Sequence, residues 1–99
     1  MTASPISKTR FVLFKKENCG PCARLQKYLD HYLPEHPEYA EHLSVLQIEN
    51  HTALREAYDL NLFPTLLIVD DEGKEQDRIV GGKWIHETID TLFEMHYKK

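Results

Sequence analysis

The sequence predicts an α/β fold, a three-layer sandwich on a minimal βαβαββα order with a four-stranded mixed sheet between its helices. Three observations carry this. Strand-like apolar runs alternate with helix-like apolar stripes along the first half of the chain. A continuous apolar run, TLLIV, suits a strand covered on both faces. A turn, DDEG, separates that run from a more polar one able to return beside it.

The first strand is RFVLFK (residues 10–15), rich in aromatic and β-branched side chains. KENCGPC follows at once and opens a helical pattern. In it Cys22, Leu25, Leu29 and Leu33 share one face, with Arg24, Lys27 and Asp30 on the other. Pro34 stops this helix, because the residue before a proline avoids the α region. LSVLQIE (43–49) alternates as a second strand, and NHTALREAYDL (50–60) reads as a short helix with Asn50 or Thr52 as N-cap. TLLIV (65–69) and KEQDRIV (74–80) should pair as a hairpin. After GGK, WIHETIDTLFEMHY (84–97) sets Ile85, Ile89, Leu92 and Phe93 on one helical stripe. Helical crossovers between parallel strands should leave both faces of the sheet covered.

At 99 residues and 41% hydrophobic composition, one core and one domain over residues 1–99 are expected, with the core between about 10 and 97. No internal repeat is visible, and the one compositional break is PEHPE around Pro34 and Pro37. Twelve basic against 16 acidic residues give a net charge of −4, which repels phosphate backbones and argues against nucleic-acid binding through a basic face. The longest apolar stretch, LFPTLLIV, is far shorter than the roughly 20 residues that span a bilayer. MTASPISKTR has no apolar run to serve as a signal sequence. A soluble, cytoplasmic, monomeric chain with no membrane partner is the expectation.

The two cysteines, Cys19 and Cys22, stand two residues apart at the head of the first helix. As a staple they would close a loop too short to constrain the unfolded chain much. As half of a metal site they lack partners: the nearest histidines, His31 and His36, lie on the cysteine helix and in the proline-rich loop, without the spacing of a finger. As two structural core thiols they would seldom be bracketed by Gly and Pro at a strand-to-helix turn. A redox pair, needing neither metal nor cofactor, fits a C-x-x-C that follows a strand in a βαβ context.

That chemistry needs a thiolate, and a free thiol ionises sparsely at neutral pH because its pKa is roughly 8.5. If Cys19 is the N-cap, Gly20, Pro21 and Cys22 occupy the first three helical positions, and the Cys19 sulfur faces free N–H groups and the positive end of the helix. Pro21 has no donor to leave unsatisfied there. Cys22, one turn on, can hydrogen-bond to the Cys19 thiolate and later attack the mixed disulfide that Cys19 forms. Lys15 and Lys16 add positive charge near the strand end and Glu17 opposes them; Lys16 is the candidate for tuning the thiol.

CGPC, with FPTLLIV, its approach YDLNLFPT, and RIVGG, resembles the thioredoxin family over roughly residues 10–97. The resemblance implies a thiol-disulfide oxidoreductase that reduces protein disulfides, with Cys19 attacking, Cys22 resolving, and Gly20 and Pro21 completing the motif. It also implies a cis peptide before Pro64, although an ordinary X–Pro bond is cis in only about 5–6% of cases. The Phe63 backbone would then pair with an extended substrate segment, and Gly81, without a side chain, would let it approach closely. Disulfide-containing proteins and a thioredoxin reductase are the implied partners.

The chain departs from that family at three positions. Asn18 stands where tryptophan usually precedes the first cysteine. Leu13 replaces a buried aspartate that helps deprotonate the second thiol, and Val45 replaces its lysine neighbour. An apolar pair so placed removes a desolvation cost and also a proton acceptor. Lys16 and the paired Gly81 and Gly82 look more like glutaredoxin, but GPC replaces its usual PYC. A glutathione-linked reductase is therefore the second reading. A binding module without redox chemistry, using Leu62, Phe63 and Trp84 as an apolar rim, is the third.

Overall fold

The computed structural model describes residues 9–97; residues 1–8 and 98–99 lie outside the described part. Its strands are β1 (Arg10–Lys15), β2 (Leu43–Gln47), β3 (Thr65–Val69) and β4 (Glu75–Val80), in one sheet of order β2-β1-β3-β4. β1 and β2 are parallel, while β1–β3 and β3–β4 are antiparallel, so the sheet is mixed. Its α-helices are α1 (Gly20–Tyr32), α2 (Pro37–Ala40), α3 (Thr52–Ala57) and α4 (Gly82–Tyr97).

The two-residue period of the strands divides their side chains between two cores. Phe11, Leu13, Leu66 and Ile68 meet Leu25 and Leu29 of α1 and Ile85, Ile89 and Phe93 of α4 on one face. Phe14, Leu67 and Val69 turn to the other face, where Ile48 and Leu60 are buried and Leu54 and Tyr58 pack beside them. Every residue of β3 is buried, as a strand covered on both sides must be. The α/β sandwich around a four-stranded mixed sheet is thus the arrangement expected from the sequence.

Four details differ. α1 stops at Tyr32, but PEHPE is not a plain loop: Pro34 lies in a 3-10 turn over Leu33–Glu35, and Pro37 opens α2. A proline that cannot continue a helix is well suited to starting one, because first-turn N–H groups have no intrahelical partner. The second strand ends at Gln47, and Ile48–Asn50 form a 3-10 turn. Ile48, 2% exposed, enters the second core, which takes the chain off the sheet early and places Asn50 inside the turn. α3 accordingly starts at Thr52 with His51 at its N-cap and no side-chain capping bond, so neither Asn50 nor Thr52 caps it. α4 begins at Gly82 instead of Trp84.

The strand register gathers one end of the sheet. Phe14 pairs with Thr65, and Thr65 with Val80. The chain leaving β1 toward Cys19, the chain entering β3 from Pro64 and the chain leaving β4 into Gly81 therefore meet there.

Candidate active site

Cys19 is the N-cap of α1, with extended backbone (φ −120°, ψ 104°). The Cys22 N–H donates to the Cys19 sulfur at 3.2 Å, and the Ala23 N–H donates to the Cys19 carbonyl at 3.0 Å. Pro21, in the first turn, carries no N–H. One orphan amide of the helix start is thus satisfied by sulfur, as the spacing of CGPC requires. The two sulfurs are joined in a disulfide, with Cα atoms 5.2 Å apart. Cys22 is only 4% exposed and Cys19 is half-buried, so the outer cysteine is the one more open to solvent.

The loop before Cys19 is shaped by two residues. Asn18 has φ of 55°, a left-handed conformation that asparagine adopts more readily than bulkier side chains. Glu49, just after β2, accepts the Glu17 N–H at 3.1 Å and the Gln47 side-chain amide at 2.8 Å. The Glu17 amide above all, with help from Gln47 and the charge of Lys16, holds the Glu49 carboxyl below the usual carboxylate range. Sequence reasoning missed Glu49, because an acid at the end of an alternating run carries no local signal of a bond to a distant loop.

Across from the disulfide, the Phe63–Pro64 peptide is cis. The Phe63 carbonyl oxygen lies 3.8 Å from the Cys19 sulfur, and the buried Pro64 accepts the Gly81 N–H at 2.9 Å. The Thr65 hydroxyl donates to the Leu62 carbonyl at 2.6 Å, and the Arg55 guanidinium sits 5.5 Å above the Phe63 ring. Gly81 has φ of 105°, which side-chain-bearing residues rarely adopt. At Gly82 the constraint is contact: a Cβ there would come within 3.0 Å of the Pro21 carbonyl oxygen, so the first turn of α4 packs directly on the CGPC turn.

Lys16 is exposed and borders, with Cys19, an open cleft of about 620 Å³. The expected site residues Lys16, Cys19, Gly20, Pro21, Cys22, Phe63, Pro64 and Gly81 therefore all lie at one end of the sheet. Leu62 and Trp84 also lie near it, 65% and 61% exposed, so the rim is real surface and Trp84 is not a core residue. Leu13 is 2% exposed, and its partner across β1–β2 is Val45. The sheet presents an apolar pair to the helix that carries Cys22. Among the described residues, no three metal-ligating side chains come together, and no helix is long and apolar enough to cross a membrane.

The model of the thioredoxin-like domain family matches residues 2–95. No curated protein matches the chain by sequence. Among solved structures, the chain resembles Fasciola hepatica thioredoxin, with TM-score 0.75 and 22% identity over 92% of this chain and 83% of that one. Chlamydomonas reinhardtii thioredoxin f2 gives TM-score 0.76 at 15% identity over 97% and 85% of the two chains. Oxidised Plasmodium falciparum thioredoxin gives TM-score 0.70 at 18% identity over 92% and 83%. At these identities the likeness speaks for the fold. With nearly the whole length matched and a bonded cysteine pair heading its first long helix, the chain belongs to the thioredoxin-like family and is built as a thiol-disulfide oxidoreductase.

Proposed function

We propose that the protein reduces disulfides in protein substrates, with Cys19 as the attacking and Cys22 as the resolving thiol. The observation that carries this reading is the asymmetry of the pair: the more accessible Cys19 sulfur accepts a first-turn N–H at 3.2 Å, while Cys22 is 4% exposed. In the reduced protein the same amide and helix terminus stabilise the Cys19 thiolate. That thiolate attacks one substrate sulfur, and the other leaves as a thiolate that takes a proton from water. Cys22 then loses its proton, attacks the Cys19 sulfur and expels the second substrate thiolate, so two electrons pass to the substrate and the Cys19–Cys22 bond re-forms. With Leu13 and Val45 in place of an acid and a base, water or another carboxylate receives the Cys22 proton.

An extended substrate segment runs past Phe63 and Pro64 as an added strand, and Gly81 leaves it room. Lys16 supports the thiolate from the cleft wall. A thioredoxin reductase resupplies the electrons to a monomeric cytoplasmic protein. In an insulin-reduction assay, Cys19→Ser abolishes turnover, while Cys22→Ser accumulates a mixed disulfide visible by mass spectrometry. Turnover of Cys22→Ser at the parental rate overturns the assigned roles. NADPH with thioredoxin reductase supports the reaction better than NADPH, glutathione and glutathione reductase; the reverse moves the protein to the glutaredoxin-like reading. Biological activity that survives loss of both thiols makes it a binding module.

A further inference from the structure

We propose that the disulfide end of this protein is a cationic seat, and that the substrate disulfides it favours lie in acidic stretches of polypeptide. The inference rests on the oxidoreductase reading above and adds the chemistry of the segment flanking the target.

The chain as a whole is acidic, at −4, yet the two clefts beside the CGPC turn invert that balance. Lys15, Lys16 and Lys27 border the cleft of about 620 Å³ on the Cys19 side. Arg24 and Lys83 border a second cleft of about 440 Å³ on the Pro21 side. Against these five cations the two walls carry two acids, Glu17 and Asp30. Asp30 accepts a bond from Gln26 at 2.9 Å, and Glu49, which feels Lys16, is turned to the Glu17 amide.

The cations are placed on the motif. The Arg24 guanidinium folds back over it, its Nη1 3.4 Å from where a Cβ on Gly20 would stand. Lys83 follows Gly82, which packs on Pro21. Lys15 is tied to Gln26 at 3.0 Å, but among the described residues none of Lys16, Arg24, Lys27 and Lys83 sits in an ion pair. Exposed cations contribute little to stability in any case. Clustered around clefts, they focus a field that attracts anionic partners, and the positive ends of α1 and α4, both at this end, act in the same direction. A segment laid across Cys19 between Pro64 and Gly81 has cationic clefts on either side. Trp84, against Gly81, gives the second cleft an apolar wall.

The test uses four disulfide peptides of equal length, with the target cysteine flanked by Asp and Glu, by Ser and Gly, by Lys and Arg, or by Ser and Gly with glutathione as its disulfide partner. The full-length protein, reduced with dithiothreitol and freed of it, reacts with each under single-turnover conditions. At low salt the acidic peptide reacts roughly tenfold faster than the basic one, within the range of electrostatic steering. The gap closes near 1 M salt, where the screening length is only about 3 Å. Arg24→Gln, Lys27→Gln and Lys83→Gln together shrink the acidic-to-neutral rate ratio toward one, whereas Lys74→Gln, at the opposite end of the sheet, leaves it intact. Equal rates at low salt, or a faster basic peptide, overturn the proposal, as does acceleration confined to the glutathione disulfide. Binding of a cysteine-free acidic peptide to the oxidised protein, followed by amide shifts at residues 16, 24, 27 and 83, reads the seat without the chemistry. If no peptide is reduced but these amides shift, the redox reading fails and the seat stands; if none shift, the seat is overturned.

Discussion

The two ends of the sheet use their polar and aromatic side chains in opposite ways. Where β1 begins, side chains satisfy one another. Phe93 stacks on Phe11 and Tyr39, with ring centroids 4.5 and 4.9 Å apart, and His42 stacks on Tyr97 at 3.9 Å. The Tyr97 hydroxyl donates to the Thr9 carbonyl at 2.6 Å, and the Tyr32 hydroxyl to Asp90 at 2.5 Å. Burial, then that bond to Asp90, raises the Tyr32 pKa above its ordinary value. Where β1 ends, Leu62 and Trp84 are exposed, the five cations bordering the clefts have no ion pair among the described residues, and a helix amide is turned to sulfur. One end is closed by its own contacts. The other keeps donors, charge and apolar surface available to something else, and that is the end where the disulfide sits.

If this division holds, stability and reactivity can be changed separately. Phe93→Ala should produce the largest effect on stability, because Phe93 is fully buried among four other rings: about 3–5 kcal/mol, read from denaturant unfolding. The rate of disulfide reduction per folded molecule should stay within about twofold, since the cavity lies away from the Cys19 cap. A folded Phe93→Ala protein that reacts tenfold more slowly would show that the closed end also shapes the reactive one.

Leu13→Asp tests the boundary between the ends. The new carboxyl would be buried opposite Val45 with no cation at that register, so stability should fall by about 2–3 kcal/mol. It would also offer Cys22 a proton acceptor, so resolution of the mixed disulfide near neutral pH should speed up. Adding Val45→Lys should recover part of the lost stability, because Val45 is only partly buried and a lysine stem there can reach solvent. An unchanged release rate in a folded Leu13→Asp protein would mean that the missing acid does not limit Cys22.

How legible the molecule is follows from how local each signal is. β1, β3 and α1 can be read because their periods are unbroken, and the Cys19 cap can be read because Pro21 suits the first turn of a helix and not its interior. α2 is hidden by the double meaning of proline, which stops one helix and starts another. The early end of β2 depends on Ile48 entering the second core, a tertiary event. The contact of Gly82 with Pro21 and the bond from Glu17 to Glu49 join residues far apart in sequence, so no local pattern announces them. A single aromatic near a helix start reads more often as core than as rim, and only packing decides that Trp84 is rim. Net charge conceals the cationic end for a simpler reason: it sums over every face at once.

The smallest expected effect sharpens the comparison most finely, because it should appear at one end alone. The Glu49 carboxyl titrates below its ordinary value of 4.5 chiefly because it accepts the Glu17 N–H ahead of Cys19. A depressed carboxylate pKa contributes stability that is present above the unfolded value and lost as pH falls through the folded one. From neutral pH down to about 5 the Glu17 amide should therefore be unaffected by this group. On further acidification its NMR shift should move with a midpoint below 4.5, as protonation weakens the bond and loosens the loop before Cys19. Glu49→Gln, which keeps an acceptor oxygen and loses the charge, should abolish that titration. The amide of Tyr97, at the closed end, should not follow the same midpoint, since its side chain contacts Thr9 and the rings of His42, Phe11, Phe93 and His96. Global stability should barely respond, because Glu49 is exposed. A Glu17 midpoint at or above 4.5 would remove Glu49 as the anchor of the loop before Cys19, and a matching Tyr97 titration would mean that the two ends are coupled.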